Sequence, residues 1–219
     1  MKHRLLALDL DGTLVPASSV NHAVARELGL VREFAIVERD YASGVIDNRA
    51  AARSLAPHLH GVSVRNFLEM VDEVPLLEDA GSVCASLADN GVETLLASVT
   101  WRLAADHIAG RLRTQAICGV ELEVCSGRFT GRVLKAIDEF DKRDAVVNYA
   151  RRQGVSASRC AAIGDSRSDL PLFRAVGMAC ALNAEETARA SADEVVDGMC
   201  LADAVAALTK PPRYQRCGV

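Results

Sequence analysis

Asp9 and Asp11 stand one residue apart in Asp9-Leu10-Asp11-Gly12-Thr13-Leu14, directly after the apolar run Leu5-Leu6-Ala7-Leu8. Such a run reads as a strand buried on both faces. Burying charge is costly unless a counter-ion offsets it. Two carboxylates at the mouth of a buried strand therefore point to a bound cation, a catalytic acid–base pair, or both. The plainer reading of Asp11 is a carboxylate that caps the next turn. A second acidic pair, Asp165 and Asp169, follows the apolar run Cys160-Ala161-Ala162-Ile163 and Gly164. Hard carboxylate oxygens of this kind suit Mg²⁺. Ser168 or Asp169 could equally cap a helix over 170–176.

Two further groups fit an anion. Ser98 closes the apolar run Thr94-Leu95-Leu96-Ala97, and a helix starting near Trp101 could aim backbone N–H groups at the same place. Ser98 and Thr100 also read as plain helix caps. Lys142 opens a helical stretch and offers a point charge, with Lys135 and Arg143 as rivals. One opposite charge at ~4 Å, with an effective dielectric near 20, is worth about 4 kcal/mol. Gly12 supplies a tight turn next to the first acidic pair, and Thr13 a hydroxyl.

The elements that must position these residues alternate. Apolar strands over 5–8, 93–98, 160–164 and 178–182 are interleaved with helical stretches over 79–89, 101–113, 142–153 and 168–176, and two short helical stretches finish the chain. A β-hairpin over 117–133 turns at Ser126-Gly127. Such alternation predicts a doubly wound α/β fold, a parallel sheet with helices on both faces. Between Thr13 and Pro75 the rhythm stops and only helices are evident, over 20–28, 31–42, 48–55 and 64–74, with Ser18 or Ser19, Asp47 and Ser63 as N-caps and Gly29 as a stop. The expected organisation is a core of residues 1–15 and 77–209, a helical cap of residues 16–76 over the carboxyl edge of the sheet, and a loose polar tail over 210–219.

The totals exclude other classes. At 219 residues, half of them apolar and with a net charge of −4, the chain has enough material for a core and no basic stripe for nucleic acid. No apolar run approaches a membrane span. The chain enters a strand at once, so no signal peptide is expected. Seven cysteines without a Cys-x-x-Cys pair point to reduced thiols and a cytoplasmic protein, with Cys84 and Cys160 in the core. His58 and His60 read as loop histidines rather than a metal pair.

Asp9-x-Asp11-Gly12-Thr13 after an N-terminal strand, Ser98 after a second, Lys142 at a helix start and Gly164-Asp165 through Asp169 after a third resemble, in order, the four motifs of the haloacid dehalogenase superfamily. The hairpin Glu123-Val124-Cys125-Ser126-Gly127-Arg128-Phe129-Thr130-Gly131 resembles that of its phosphoserine phosphatase-like branch. The resemblance implies a Rossmann-like core, a helical cap that excludes water, and a Mg²⁺-dependent phosphatase acting through an aspartyl-phosphate. Asp9 would be the nucleophile and Asp11 the general acid and base. Gly12, Ser98, Val99 and Lys142 would hold the phosphate. Asp9, the backbone carbonyl of Asp11 and Asp165 would hold the metal, with Asp169 supporting it or Lys142.

The chain departs from that branch where the organic part of the substrate binds. Ser18 stands where a cap glutamate is expected, and the expected cap arginine falls near Leu55, with Arg49 and Arg53 close by. Ser168 replaces an asparagine, and Val99-Thr100 stands where glycine is usual. Ser18, Asn21, Arg49, Arg53, Trp101 and Arg102 are the candidates for specificity. A small phosphorylated metabolite other than phosphoserine is the expected partner, with the protein a monomer or homodimer. Alternatives are a phosphotransferase that passes the phosphoryl group to an alcohol, and a non-catalytic phosphate-metabolite-binding protein. A dehalogenase would need neither Asp11 nor a metal.

Overall fold

The computed structural model describes residues 2–209; the expected tail over 210–219 lies outside them. Strand β1, Leu5–Leu8, is buried at every position. A helical segment follows. Helix α1, Val20–Leu28, starts at Ser19, whose side chain accepts from the His22 N–H, and ends at Gly29 with φ 70°. Only glycine adopts such a left-handed angle without strain. Helix α2 spans Val31–Ala42. Asp47 caps α3, Asn48–Leu55, and Ser63 caps α4, Val64–Asp72. Three of the four helices thus begin where a side-chain oxygen satisfies an N–H that the helix itself leaves free.

The strand–helix rhythm then resumes with α5 (Ala80–Asp89), β2 (Glu93–Leu96), α6 (Arg102–Arg111), β3 (Gln115–Ala116), the hairpin β4 (Glu121–Cys125) and β5 (Arg128–Lys135), and α7 (Glu139–Arg152). It closes with β6 (Cys160–Gly164), α8 (Leu170–Phe173), β7 (Met178–Leu182), α9 (Glu186–Ser191), β8 (Glu194–Val196) and α10 (Leu201–Ala207). Six strands form one parallel sheet in the order β3-β2-β1-β6-β7-β8. Strands β6 and β7 are, like β1, buried throughout. Burial on both faces is why they read as unbroken apolar runs. This is the doubly wound, Rossmann-like α/β fold that the alternation predicts.

Three expectations shift. Helix α7 begins three residues before Lys142, because Asp138 accepts from the Phe140 and Asp141 N–H groups while Asp141 reaches back to the Asp138 N–H. This reciprocal cap buries Lys142 in the first turn instead of leaving it at the helix mouth. The helix expected over 168–176 is a 3₁₀ turn, Arg167–Asp169, followed by the single turn of α8. Of the two helical stretches expected at the end, α9 and α10 are present with the short strand β8 between them.

The hairpin lies against the helical segment. Phe129 exchanges backbone hydrogen bonds with Val62 (2.9 Å) and Gly61 (2.9 Å), and the Val64 N–H donates to the Gly127 carbonyl at 2.9 Å. Phe129 meets Phe67 of α4 edge to face, ring centroids 5.1 Å apart, and both rings are buried. Four cysteines, Cys84 and Cys160 among them, are buried, and no disulfide joins the described cysteines. His60 Nδ1 bonds the Thr130 carbonyl at 3.0 Å and the His58 ring packs near Phe34, so neither joins a metal-binding group among the described residues. Truncating a buried phenylalanine typically costs about 3–5 kcal/mol. Phe67→Ala is expected to lose stability of that order in urea unfolding; a change below about 1 kcal/mol would show that the Phe67–Phe129 contact does not hold the hairpin down.

Candidate active site

The chain leaves β1 toward β2 on one side and pairs with β6 on the other, so the order of the sheet reverses between β1 and β6. Open α/β sheets bind ligands at such a point, beyond the strand carboxyl ends. Asp9 follows β1 and Asp165 follows β6, which sets both carboxylates at this crevice. Asp9, Asp165 and Asp169 bring one oxygen each within 4.8 Å of one another.

Lys142 is fully buried and donates from Nζ to Asp9 Oδ1 at 2.7 Å and to Asp169 Oδ1 at 2.7 Å. Its third neighbour is Ser168 Oγ at 3.4 Å. Asp169 uses its other oxygen to accept from the Asp165 and Ser166 N–H groups at 3.1 and 3.2 Å. Ser166, rather than Ser168 or Asp169, is the cap of this turn, and Asp169 closes the reciprocal bond. Both oxygens of Asp169 are therefore committed. Asp165 Oδ1 accepts from Thr13 Oγ1 at 3.0 Å.

Two glycines make this packing possible. Gly12 has φ +83°, and a Cβ there would lie 2.1 Å from Asp165 Oδ2. A Cβ at Gly164 would lie 2.2 Å from Asp169 Cγ. Asp11 Oδ1 accepts from the Val20 N–H at 2.7 Å, in the first turn of α1. Ser98 is buried and its Oγ accepts from the Thr100 N–H at 3.2 Å. It does not cap α6, whose N-cap is Trp101 with no side-chain bond.

A cavity of about 430 Å³ opens from these residues toward the helical segment. Of the residues singled out from the sequence, Asp9, Asp11, Gly12, Ser18, Ser19, Asn21, Ser98, Val99, Thr100, Trp101, Asp165 and Ser168 line it. Lys142 and Asp169 lie behind Asp9, outside the lining. Arg49, Arg53 and Arg102 do not reach it. Arg49 is held by Asp138 and Asp141, Arg102 by Asp106, and Arg53 is exposed. The cavity side of α3 is Asn48, Ala51, Ala52 and Leu55, a helical stripe that turns both arginines away.

The sequence reading missed Glu38, Tyr41 and Asn48. Glu38 accepts from Ser19 Oγ at 3.0 Å. Asn48 Nδ2 donates to the Val99 and Ile137 carbonyls at 3.0 and 2.9 Å. The Tyr41 hydroxyl is buried without a hydrogen-bond partner among the described residues. Arg167 stacks on the Tyr41 ring at 4.9 Å, donates to its carbonyl at 2.7 Å and pairs with Glu139 at 3.0 Å.

A Rossmann-like sheet with acidic side chains and one buried lysine gathered at its switch point is the class of site that the four motifs predict. The family model for haloacid dehalogenase-like hydrolases matches residues 6–174. The chain belongs to that family, and within it is phosphoserine phosphatase-like. It is 27% identical over 97% of its length to a phosphoserine phosphatase of Archaeoglobus fulgidus, of which it spans 62%. It is 26% identical over 89% of its length to one of Halobacterium salinarum, of which it spans 93%. A solved structure of a phospho-aspartyl intermediate analogue of phosphoserine phosphatase shares the fold, with a TM-score of 0.84 at 22% identity, over 94% of this chain and 99% of that one. No helix among the described residues is long and apolar enough to cross a membrane.

Burial decides the protonation of the site. It pushes the Asp11 carboxyl up to about 7, against the bond from the Val20 N–H and with the charge of Asp9 adding to it. Burial also raises Asp9, with Asp169 reinforcing and Lys142 opposing, and raises Asp165, with Asp9 and Asp169 reinforcing. The folded chain thus binds these protons more tightly than the unfolded chain, where a carboxylate titrates near pH 4 (about 3.9 for Asp). Their contribution to stability is complete below that pH and is lost as pH rises through about 7 for Asp11. In a chelating buffer the unfolding midpoint is expected to fall between about pH 5 and pH 8. A midpoint that rises over that window would contradict the burial of these carboxylates.

Proposed function

We propose that the protein is a Mg²⁺-dependent phosphatase of a small phosphomonoester and works through an aspartyl-phosphate on Asp9. The observation that carries this reading is the pairing at the end of β1: a buried carboxylate held on one oxygen by Lys142, two residues from a carboxyl poised near neutrality. Asp9 attacks phosphorus with the oxygen that Lys142 does not hold. The P–O bond to the organic group breaks, and Asp11 gives its proton to the departing oxygen. Asp11 then takes a proton from water as that water attacks the aspartyl-phosphate, which releases phosphate and restores Asp9. A carboxyl that titrates near 7 suits both duties, since neither form is scarce at neutral pH. Ser98 and the backbone N–H of Val99 are the proposed donors to the phosphoryl oxygens; the Gly12 N–H is spent on the Val15 and Ser18 carbonyls, so Gly12 serves as the turn that lets Asp165 close in. Lys142 acts through Asp9, whose position and charge it fixes.

The acidic cluster fits a hard divalent cation. Three carboxylates meet with one lysine to offset them. Asp9 and Asp165, with the Asp11 carbonyl, are the residues that would hold Mg²⁺, and Asp169, whose oxygens accept from Lys142 and from the Asp165 and Ser166 N–H groups, would fix Lys142 and the Asp165 turn. When bound, the ion neutralises phosphoryl charge. The relatives named above are phosphoserine phosphatases. The organic end of this cavity has neither a glutamate at position 18 nor an arginine on α3 facing inward, which supports a different substrate.

Asp9→Asn is expected to abolish phosphate release from an aryl phosphate, and Asp11→Asn to lower kcat by about 10²–10⁴-fold, the usual worth of general acid–base help. Full activity in Asp9→Asn would rule out the covalent route. Chelation is expected to stop turnover and added MgCl₂ to restore it, measured as released phosphate. Turnover that persists in the chelator would remove the metal from the scheme.

A further inference from the structure

The wall of the cavity that the helical segment supplies carries an unusual balance of charge. No lysine or arginine lines the cavity, and outside the group Asp9, Asp11 and Asp165 its one carboxylate is Glu38, on α2. The only basic side chain in the lining is the exposed imidazole of His22. Glu38 is not a stray surface charge. Ser19 Oγ donates to its Oε1 at 3.0 Å, and Ser19 is itself fixed as the cap of α1, where it accepts from the His22 N–H at 2.9 Å. Glu38 forms no salt bridge among the described residues, whereas the nearby arginines are engaged elsewhere or exposed: Arg49 with Asp138 and Asp141, Arg102 with Asp106, Arg53 on the outer side of α3. The lining also carries apolar surface from Val37, Ala52, Leu55 and Trp101. The Trp101 N–H is spent on Asn21 Oδ1 at 2.8 Å, so the indole adds apolar surface rather than a donor.

Such a wall discriminates by charge. A carboxylate on the organic part would meet Glu38 with no lysine or arginine in the lining to offset it. An ammonium group would gain the same interaction with the opposite sign. Building on the phosphatase reading, we propose that the cavity takes a phosphomonoester whose organic part carries an ammonium group and no carboxylate, with Glu38 as the residue that selects it.

Three small probes isolate the two charges: 2-aminoethyl phosphate, ethyl phosphate, which lacks the ammonium, and O-phosphoserine, which adds a carboxylate. The kcat/KM for 2-aminoethyl phosphate is expected to exceed each of the others by about tenfold or more, the scale of one charge pair in a partly desolvated site. Glu38→Gln is expected to bring the ratio of 2-aminoethyl to ethyl phosphate close to one. Calorimetric binding of the same three probes to Asp9→Asn, with Mg²⁺ present, is expected to give the same order. Phosphoserine equal to or better than 2-aminoethyl phosphate would overturn the inference, as would an ammonium preference that survives Glu38→Gln. Hydrolysis of p-nitrophenyl phosphate separates the two levels. If that ester is cleaved and no ammonium preference appears, only the inference fails. If it and the three probes are all left intact, the phosphatase reading fails and takes the inference with it.

Discussion

A lysine ammonium buried between two carboxylates sets the terms for everything around it. Lys142 Nζ lies 2.7 Å from Asp9 and 2.7 Å from Asp169, with no exposed surface. Taking three ionised groups out of water is expensive, and only close geometry with further hydrogen bonds offsets it. The surrounding chain supplies that geometry in sequence. The reciprocal cap at Asp138 and Asp141 fixes the first turn of α7 and hence the start of the lysine stem. Asp169 passes the constraint on through two N–H bonds to the turn that carries Asp165. Asp165 then packs against Gly12, where any side chain would displace it. An element 133 residues away from Asp9 thus determines where its carboxylate points.

Local patterns made much of this legible in advance. Strands buried on both faces announce themselves as apolar runs, so β1, β6 and β7 stand where Leu5–Leu8, Cys160–Gly164 and Met178–Leu182 put them. Helices α1, α3 and α4 were readable from Ser19, Asp47 and Ser63 because the cap is a local bond. What escaped was tertiary or weakly signalled. Strand β8 is three residues at a sheet edge, too short to show a period. The start of α7 was hidden because Asp138 and Asp141 form an acidic capping box, and acidic residues before a lysine look like ordinary solvated chain. Arg49 and Arg53 read from the sequence as charge for the cavity. The stripe Asn48, Ala51, Ala52, Leu55 already marked the inward side of α3, and reading that period would have set both arginines aside. Glu38 and Tyr41 had no local signal, since their meaning depends on α2 lying across the crevice.

Besides the bond from the Val20 N–H to Asp11, groups that are not acidic join the helical segment to the site. Arg167, inside the turn between Asp165 and Asp169, reaches the carbonyl and ring of Tyr41 on α2. Asn48 on α3 holds the carbonyl of Val99 beside Ser98. The roof of the cavity therefore contacts the two loops that carry Asp165 and Ser98. The positions of the roof and of those loops are not independent.

The seating of the hairpin against α4 bears on how this molecule can move. The hairpin β4–β5 and the helices α1–α4 share backbone bonds through Gly61, Val62 and Val64, although more than forty residues of sheet and helix separate them along the chain, as the positions of α4 and β4 show. That joint body is tied to the sheet by four chain crossings, two around the helices and two around the hairpin. A body on two tethers can swing about an almost arbitrary axis; one on four is confined to a narrow family of rotations that leaves all four lengths nearly unchanged. Any displacement of this body from the sheet is thereby limited to rotations that carry helices and hairpin together.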